Sequence, residues 1–322
     1  VPVGVDFPRA VVEGLRERFR NEPPEALGKV ELFVNTRRMQ RRIRAIFDAG
    51  PAGFVPKIRL VTDLSDDLSL SHIPPAVPPL RRRLELVQLI SRLLDADPTL
   101  APRSSLYDLA DSLMKLSDEM QGEGVPPHVI RELDISDQSG HWERALTFIN
   151  IVQDFFKDRH TAPDREARQR LIIEELGKVW VESPPNHPVI VAGSTGSRGA
   201  TALFMQMVAK LPQGAVILPG YDFAMPETAW DDLSDALIAE DHPQFRFRRL
   251  LDDAGLPMSA VREWSDHAPN CEPRNRLVSL ALRPAPVTDQ WLQEGPALQH
   301  ISEACENLTL IEATSPRQEA LA

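Results

Sequence analysis

The sequence predicts an α/β fold in which a parallel sheet is interrupted by a long all-helical stretch. Three observations predict it. Residues 8–62 alternate helical and strand-like patterns, residues 80–183 carry helical periodicity alone, and apolar strand-like runs resume over residues 189–218. The first helix is read over Pro8–Arg20, where Val11, Val12, Leu15 and Phe19 recur at helical spacing, and Pro23-Pro24 stops it. Val30–Asn35 reads as a short strand. Thr36 then opens a helix whose apolar stripe is Met39, Ile43, Ile46 and Phe47, with its arginines on the other faces. Gly50, Pro51 and Gly53 break that helix, and Lys57–Thr62 reads as a second strand.

A proline-dense connector, Ile73–Pro79, leads into candidate helices at Leu80–Asp95, Leu106–Gln121, His141–Asp158 and Asp164–Val181. Strands return at Val189–Ala192 and Ala215–Leu218. Beyond them lie an acidic helix near Ala229–Glu240, a basic one near Pro243–Ala254 and an Arg/Leu-rich segment at Asn275–Leu282. The last expected strand is Leu308–Ile311, followed by the start of a helix. Both ends are abrupt, since Pro2–Asp6 reads as a loop without its incoming strand and Thr314–Pro316 opens a new unit. The chain is therefore expected to be part of a larger protein.

Composition excludes several classes. With 322 residues, 42% hydrophobic and 26% charged, the chain can bury a sizeable core. No apolar run approaches the ~18 residues that span a bilayer, and no secretory signal opens the chain, so a cytoplasmic location without membrane contact is expected. The formal net charge of −11 argues against indiscriminate coating of nucleic acid. Arginine is nevertheless clustered, at Arg37, Arg38, Arg41, Arg42 and Arg44, at Arg81–Arg83, and at Arg246, Arg248 and Arg249. Such clusters read either as solvated helix faces or as bidentate phosphate contacts. Cys271 and Cys305 lie too far apart to form a zinc or iron–sulfur motif and read as free thiols. Asp118, Glu119 and Glu123 read as solvated carboxylates at a helix end. The histidines show no ligand spacing, and no metal site or Ser-His-Asp set is indicated.

The glycine-rich turn after Val189–Ala192 invites comparison with a phosphate-binding loop, which needs G-x-x-x-x-G-K-[ST]. Here Gly193 to Gly199 is one residue too long and Ala200 stands in place of the lysine. The spacing of Gly193, Gly196 and Gly199 also misses the dinucleotide fingerprint. The segment reads as an anion nest without catalytic equipment or as a tight turn.

Several strings together resemble the AddB family, the second subunit of bacterial AddAB-type helicase–nucleases, in its alphaproteobacterial branch. They are Pro2–Arg9, Leu32–Arg44, Lys57–Asp63, Asp118–Pro126, Val189–Thr201, Leu211–Asp222, Asn275–Trp291 and Leu308–Ala320, and they span essentially the whole chain. The resemblance implies a RecA-like sheet of an inactivated superfamily-1 helicase with an inserted all-helical subdomain. It implies boundaries at 1–75 and 186–300 for the two parts of the RecA-like domain, 76–185 for the helical insertion and 301–322 for the start of a further domain.

Pro2–Phe7 falls where a working helicase has its phosphate loop and lacks Gly-Lys-Thr. Gly193, Ser194, Thr195, Gly196, Ser197 and Arg198 fall at a degenerate Walker B position, where Ala192-Gly193 replaces the Asp-Glu that holds Mg²⁺ and activates water. By contrast, Asn35, Thr36 and Arg37 match a helicase motif that touches a single-strand backbone and Thr62 matches the next such motif, with Arg38 and Arg41 expected to add charge to the DNA-binding site. The resemblance thus implies a non-motor DNA-binding and subunit-docking region acting in double-strand break repair and recombination. It would have no catalytic residue and no cofactor, and its partners would be single- or double-stranded DNA and an AddA-type motor subunit. A nuclease is expected in the C-terminal part of full-length family members. Two alternatives stand beside this reading: a scaffold that docks the motor subunit without touching DNA, and an NTP-binding enzyme using Gly193–Thr201 with Arg198 in place of the lysine.

Overall fold

In the computed structural model the described residues are 1–66, 70, 72–126, 128–131, 162–197 and 199–321. The expected helix at His141–Asp158 lies outside them, as does Arg198. In chain order the strands are β1 (Glu31–Val34), β2 (Lys57–Leu60), β3 (Val189–Ala192) and β4 (Gly214–Ile217). The main helices are α1 (Phe7–Arg18), α2 (Arg37–Asp48), α3 (Pro79–Ala96), α4 (Leu106–Glu123), α5 (Arg165–Glu182), α6 (Gly199–Ala209), α7 (Phe245–Ala254), α8 (Glu272–Ala281) and the single turn α9 (Ile301–Ala304). The chain divides into two units, one of Val1–Gly28, Arg41–Val55 and Ile217–Ala322, the other of Lys29–Gln40 and Pro56–Val216.

The second of these units holds an all-parallel sheet of order β2-β1-β3-β4. Parallel strands are covered on both faces, so their sequences run continuously apolar. Accordingly Leu32, Phe33 and Val34 of β1 and all four residues of β3 are buried. The edge strand β2 alternates instead, with Ile58 and Leu60 buried and Lys57 exposed. Phe33 meets Phe204 of α6 edge-to-face at a centroid separation of 5.1 Å, and Trp180 of α5 lies 6.0 Å from the same ring. Aromatic pairs of this geometry add about 0.5–1.5 kcal/mol to the burial itself.

Between β2 and β3, α3 and α4 share a satellite core of Leu86, Leu89, Ile90, Leu94, Ala110 and Leu113. Arg83 joins the same helices by two bonds to Asp111, at 2.6 and 2.8 Å. Arg82 is buried, donating from Nε to Asp164 Oδ1 at 2.6 Å and from Nη1 to Glu85 Oε2 at 2.9 Å.

Next to this network stands Asp118, held above the usual carboxylate range by burial first and by the carboxylates of Asp164 and Glu166 second. The folded chain therefore keeps that proton to higher pH than the unfolded chain, and stability falls as pH rises from about 4 through the raised value. Asp118→Asn is expected to raise the hydrogen-exchange protection of the α4 amides at about pH 7. The gain is below ~1 kcal/mol because the group is partly exposed, and it fades as pH falls through the raised value and is lost below about pH 4.

In the other unit, Val1 N donates to Leu218 O at 3.0 Å and Tyr221 N to Val1 O at 3.0 Å, while Pro2 forms a parallel bridge with Tyr221. Tyr221 stacks on Trp230 at 4.8 Å and meets Phe223 edge-on at 4.7 Å. Burial pushes its hydroxyl up to about 12. Ile43 and Phe47 of α2 are buried, and Arg16 of α1 lies over the Phe47 ring at 5.2 Å.

Three expectations are corrected. Strand β2 ends at Leu60, so Thr62 sits not on the strand but in a 3-10 turn, Val61–Asp66. Asp63 explains it, since its Oδ2 accepts the Leu60 N–H at 2.8 Å and turns the chain. The acidic helix is two short ones, Glu227–Asp232 and Ala236–Ala239, because Asp235 caps the second through Leu237 N at 2.9 Å. Leu308–Ile311 forms no strand: it pairs with no neighbour among the described residues, and Leu310 is 87% exposed.

Candidate nucleic-acid interface

The register of the sheet brings the candidate residues to one edge. Val34 pairs with Leu60 on one side and with Ala192 on the other. Because the three strands are parallel, Asn35-Thr36, Val61-Thr62 and Gly193-Ser194 all leave the sheet at its C-terminal edge. That edge is where open α/β sheets bind ligands.

At the end of β1, Asn35 and Thr36 are exposed. Thr36 is the N-cap of α2: its Oγ1 accepts Met39 N at 3.1 Å, and its carbonyl accepts Gln40 N at 3.0 Å. Gln40 Nε2 donates to Ile58 O at 2.8 Å, which fixes the helix start against β2. The positive end of the helix dipole thus faces the edge, flanked by the exposed side chains of Arg37 and Arg38. Arg41 is also exposed and belongs to the other unit.

The three arginine clusters meet different fates. Arg81 pairs with Glu85 at 3.0 Å, Arg82 is buried in its network, and Arg83 is taken by Asp111. Arg246 pairs with Glu240 at 2.9 Å, Arg248 with Asp252 at 3.0 Å and with Asp231 at 3.3 Å, and Arg249 with Asp253 at 4.0 Å. On α2, Arg42 pairs with Asp6 at 3.5 Å. Among the described residues no carboxylate pairs with Arg38 or Arg44, so these two arginines of α2 have charge to offer a ligand.

The glycine turn after β3 is geometrically demanding. Gly193 and Gly196 take φ of +79° and +68°, which L side chains rarely adopt. Ser194 is buried, and its Oγ accepts Gly196 N at 3.2 Å. The start of α6 is already occupied by an anion: Glu123 Oε1 accepts Gly199 N at 2.8 Å. A Cβ on Gly199 would lie 2.6 Å from Gly122 O, so the C-terminal end of α4 abuts the N-terminal end of α6. Carboxylate and dipole both fill the place a phosphate would take.

The segment Pro2–Phe7 is closed as well. Asp6 caps α1, accepting Arg9 N at 3.4 Å, and so presents a carboxylate where a nucleotide would bring phosphate. Asn275 Nδ2 donates to Val3 O at 2.7 Å, and its Oδ1 would lie 2.9 Å from a Cβ on Gly4. Neither the Glu123–Gly199 bond nor the Asn275 contact is a local signal, so sequence patterns missed both. Among the described residues no group of three or more His, Cys, Asp or Glu could hold a metal ion, and no helix is long and apolar enough to cross a membrane. No protein-family model matches this chain, and no curated protein matches it.

Proposed function

We propose that this chain is the helicase-like, non-motor part of an AddAB-type helicase–nuclease, holding the backbone of DNA at the C-terminal edge of its sheet and docking an AddA-type motor subunit in double-strand break repair. In this reading the sheet is the RecA-like core of an inactivated superfamily-1 helicase, and the helices between β2 and β3 are its inserted subdomain. The observation that carries it is the Thr36-capped start of α2, set at the sheet edge and flanked by exposed Arg37 and Arg38. Backbone N–H groups and the dipole receive phosphate there, and the arginines add charge. Thr62 and the Gly193–Ser197 turn flank it at the ends of the neighbouring strands.

The same reading assigns no hydrolysis to the chain. Ala192-Gly193 supplies no carboxylate for Mg²⁺, and Asp6 and Glu123 place negative charge at both helix starts that could have received a nucleotide phosphate. Mg²⁺-ATP is therefore expected to leave the melting temperature unchanged. A nucleotide present at 100 times its Kd would add ~2.7 kcal/mol, and a shift of that size would establish the NTP-binding alternative instead.

Fluorescence anisotropy with a labelled single-stranded oligonucleotide tests the DNA reading. The wild type is expected to bind, and the Arg37→Ala/Arg38→Ala/Arg41→Ala variant to bind at least about tenfold more weakly. Equal binding by the two proteins would remove the site from α2. No binding by either would leave the scaffold that docks the motor subunit without DNA contact.

A further inference from the structure

Cys271 and Cys305 are the two cysteines of the sequence, and the fold sets the first against the helical turn that leads into the second. Cys271 is the N-cap of α8, which packs against α9, and Cys305 is the residue that ends α9. Cys271 Sγ lies 3.7 Å from Glu303 O, two residues before Cys305. One turn along α8, Arg274 donates from Nε to Ala304 O at 2.8 Å and from Nη2 to Glu306 O. These carbonyls stand on either side of Cys305, so a single turn of α8 grips the three residues around one thiol and carries the other. A disulfide requires Cα atoms about 4.4–6.8 Å apart. The backbone beyond Cys305 is compliant, since α9 is one turn long, Asn307 takes φ of 59°, and residues 305–313 form no regular element.

We propose that Cys271 and Cys305 form a reactive thiol pair that closes to an intrachain disulfide on meeting a low-molecular-weight disulfide, linking α8 to α9. Cys305 is exposed and Cys271 half-buried, which sets the order of events. The Cys305 thiolate attacks one sulfur of the small disulfide, breaking its S–S bond and releasing one small thiol. Cys271 then gives its proton to solvent and attacks the Cys305 sulfur of the mixed disulfide, and the second small thiol leaves. Two protein thiols are oxidised, and the small disulfide is reduced to two thiols. Because the second step is intramolecular, its effective concentration is about millimolar or higher and the mixed disulfide does not accumulate. The pair lies in the unit of α1, α8 and α9, and the proposal stands apart from the DNA reading.

The full chain is treated with oxidised glutathione and read by intact mass and by non-reducing peptide mapping. The wild type is expected to lose two hydrogens and to yield a Cys271–Cys305 linked peptide. Cys271→Ser is expected to stop at the mixed disulfide on Cys305, holding about tenfold more of that adduct than the wild type. Cys305→Ser is expected to react about tenfold more slowly, at the shielded thiol. Circular dichroism of the reduced proteins separates misfolding from loss of the thiol, and the wild-type mass decides without any variant. An unmodified wild type, a wild-type adduct as abundant as in Cys271→Ser, or a disulfide joining two molecules would each overturn the proposal.

Discussion

Phe33→Ala is expected to destabilise the sheet-bearing unit by about 3–5 kcal/mol. Phe33 is 1% exposed at the middle of β1, between both neighbouring strands. Its ring meets Phe204 edge-on, and Arg59 lies over it at 5.4 Å. Truncation removes the transfer free energy of the ring, the aromatic pairing and the close packing around them, and it leaves a cavity that a central strand held on both sides cannot collapse to fill. Hydrogen exchange of the β1 and β3 amides reports this unit's stability directly, where a global transition of a chain with two units would not. A change under about 1 kcal/mol would mean that β1 does not occupy the centre of the core.

Arg82→Ala is expected to cost about as much, ~3–5 kcal/mol, for an electrostatic reason. The Arg82 side chain is 6% exposed and bonds Asp164 and Glu85, while Asp164 also accepts Gln121 Nε2 at 3.3 Å. Removing the guanidinium leaves Asp164 half-enclosed without its cation and takes from Asp118 one of the charges that hold its proton affinity down. The sign of the pH dependence follows. The variant's deficit is greatest near pH 7, where Asp118 is ionised without the Arg82 charge, and shrinks as pH falls and Asp118 takes up its proton. A double-mutant cycle with Asp164→Ala isolates the pair. A deficit that does not change with pH would assign the loss to packing instead.

Much of the framework was legible because burial imposes a pattern on the chain. Strands β1 and β3 are short apolar runs covered on both faces, and their positions follow from Val30–Asn35 and Val189–Ala192 with shifts of at most one residue. Helices α3, α4 and α5 follow from their apolar stripes and Pro/Gly boundaries. Thr62 falls beyond the strand that its sequence suggests because a strand end depends on what the next side chain bonds, and Asp63 turns back to Leu60 N. Leu308–Ile311 carried strand-like residues, but a strand exists only through a partner, and composition does not supply one. At the candidate site, parallel strand ends predict which residues share an edge. What closes the helix starts does not follow from spacing: Glu123 reaches Gly199 and Asn275 reaches Val3 across long stretches of sequence. The contact of Cys271 with Glu303 O likewise joins residues far apart in sequence.

Salt dependence of single-strand binding distinguishes a DNA track kept on a scaffold without a motor from a scaffold that carries no DNA. Each phosphate contact contributes ~0.7 to the slope of log K against log salt concentration for a single strand. Anisotropy titrations across a salt series compare the wild type with the Arg37→Ala/Arg38→Ala/Arg41→Ala variant. The variant is expected to bind more weakly, with a slope shallower by about 2, the share of three lost contacts. Parallel lines of equal slope and affinity would contradict it, because the basic start of α2 would then carry no phosphate.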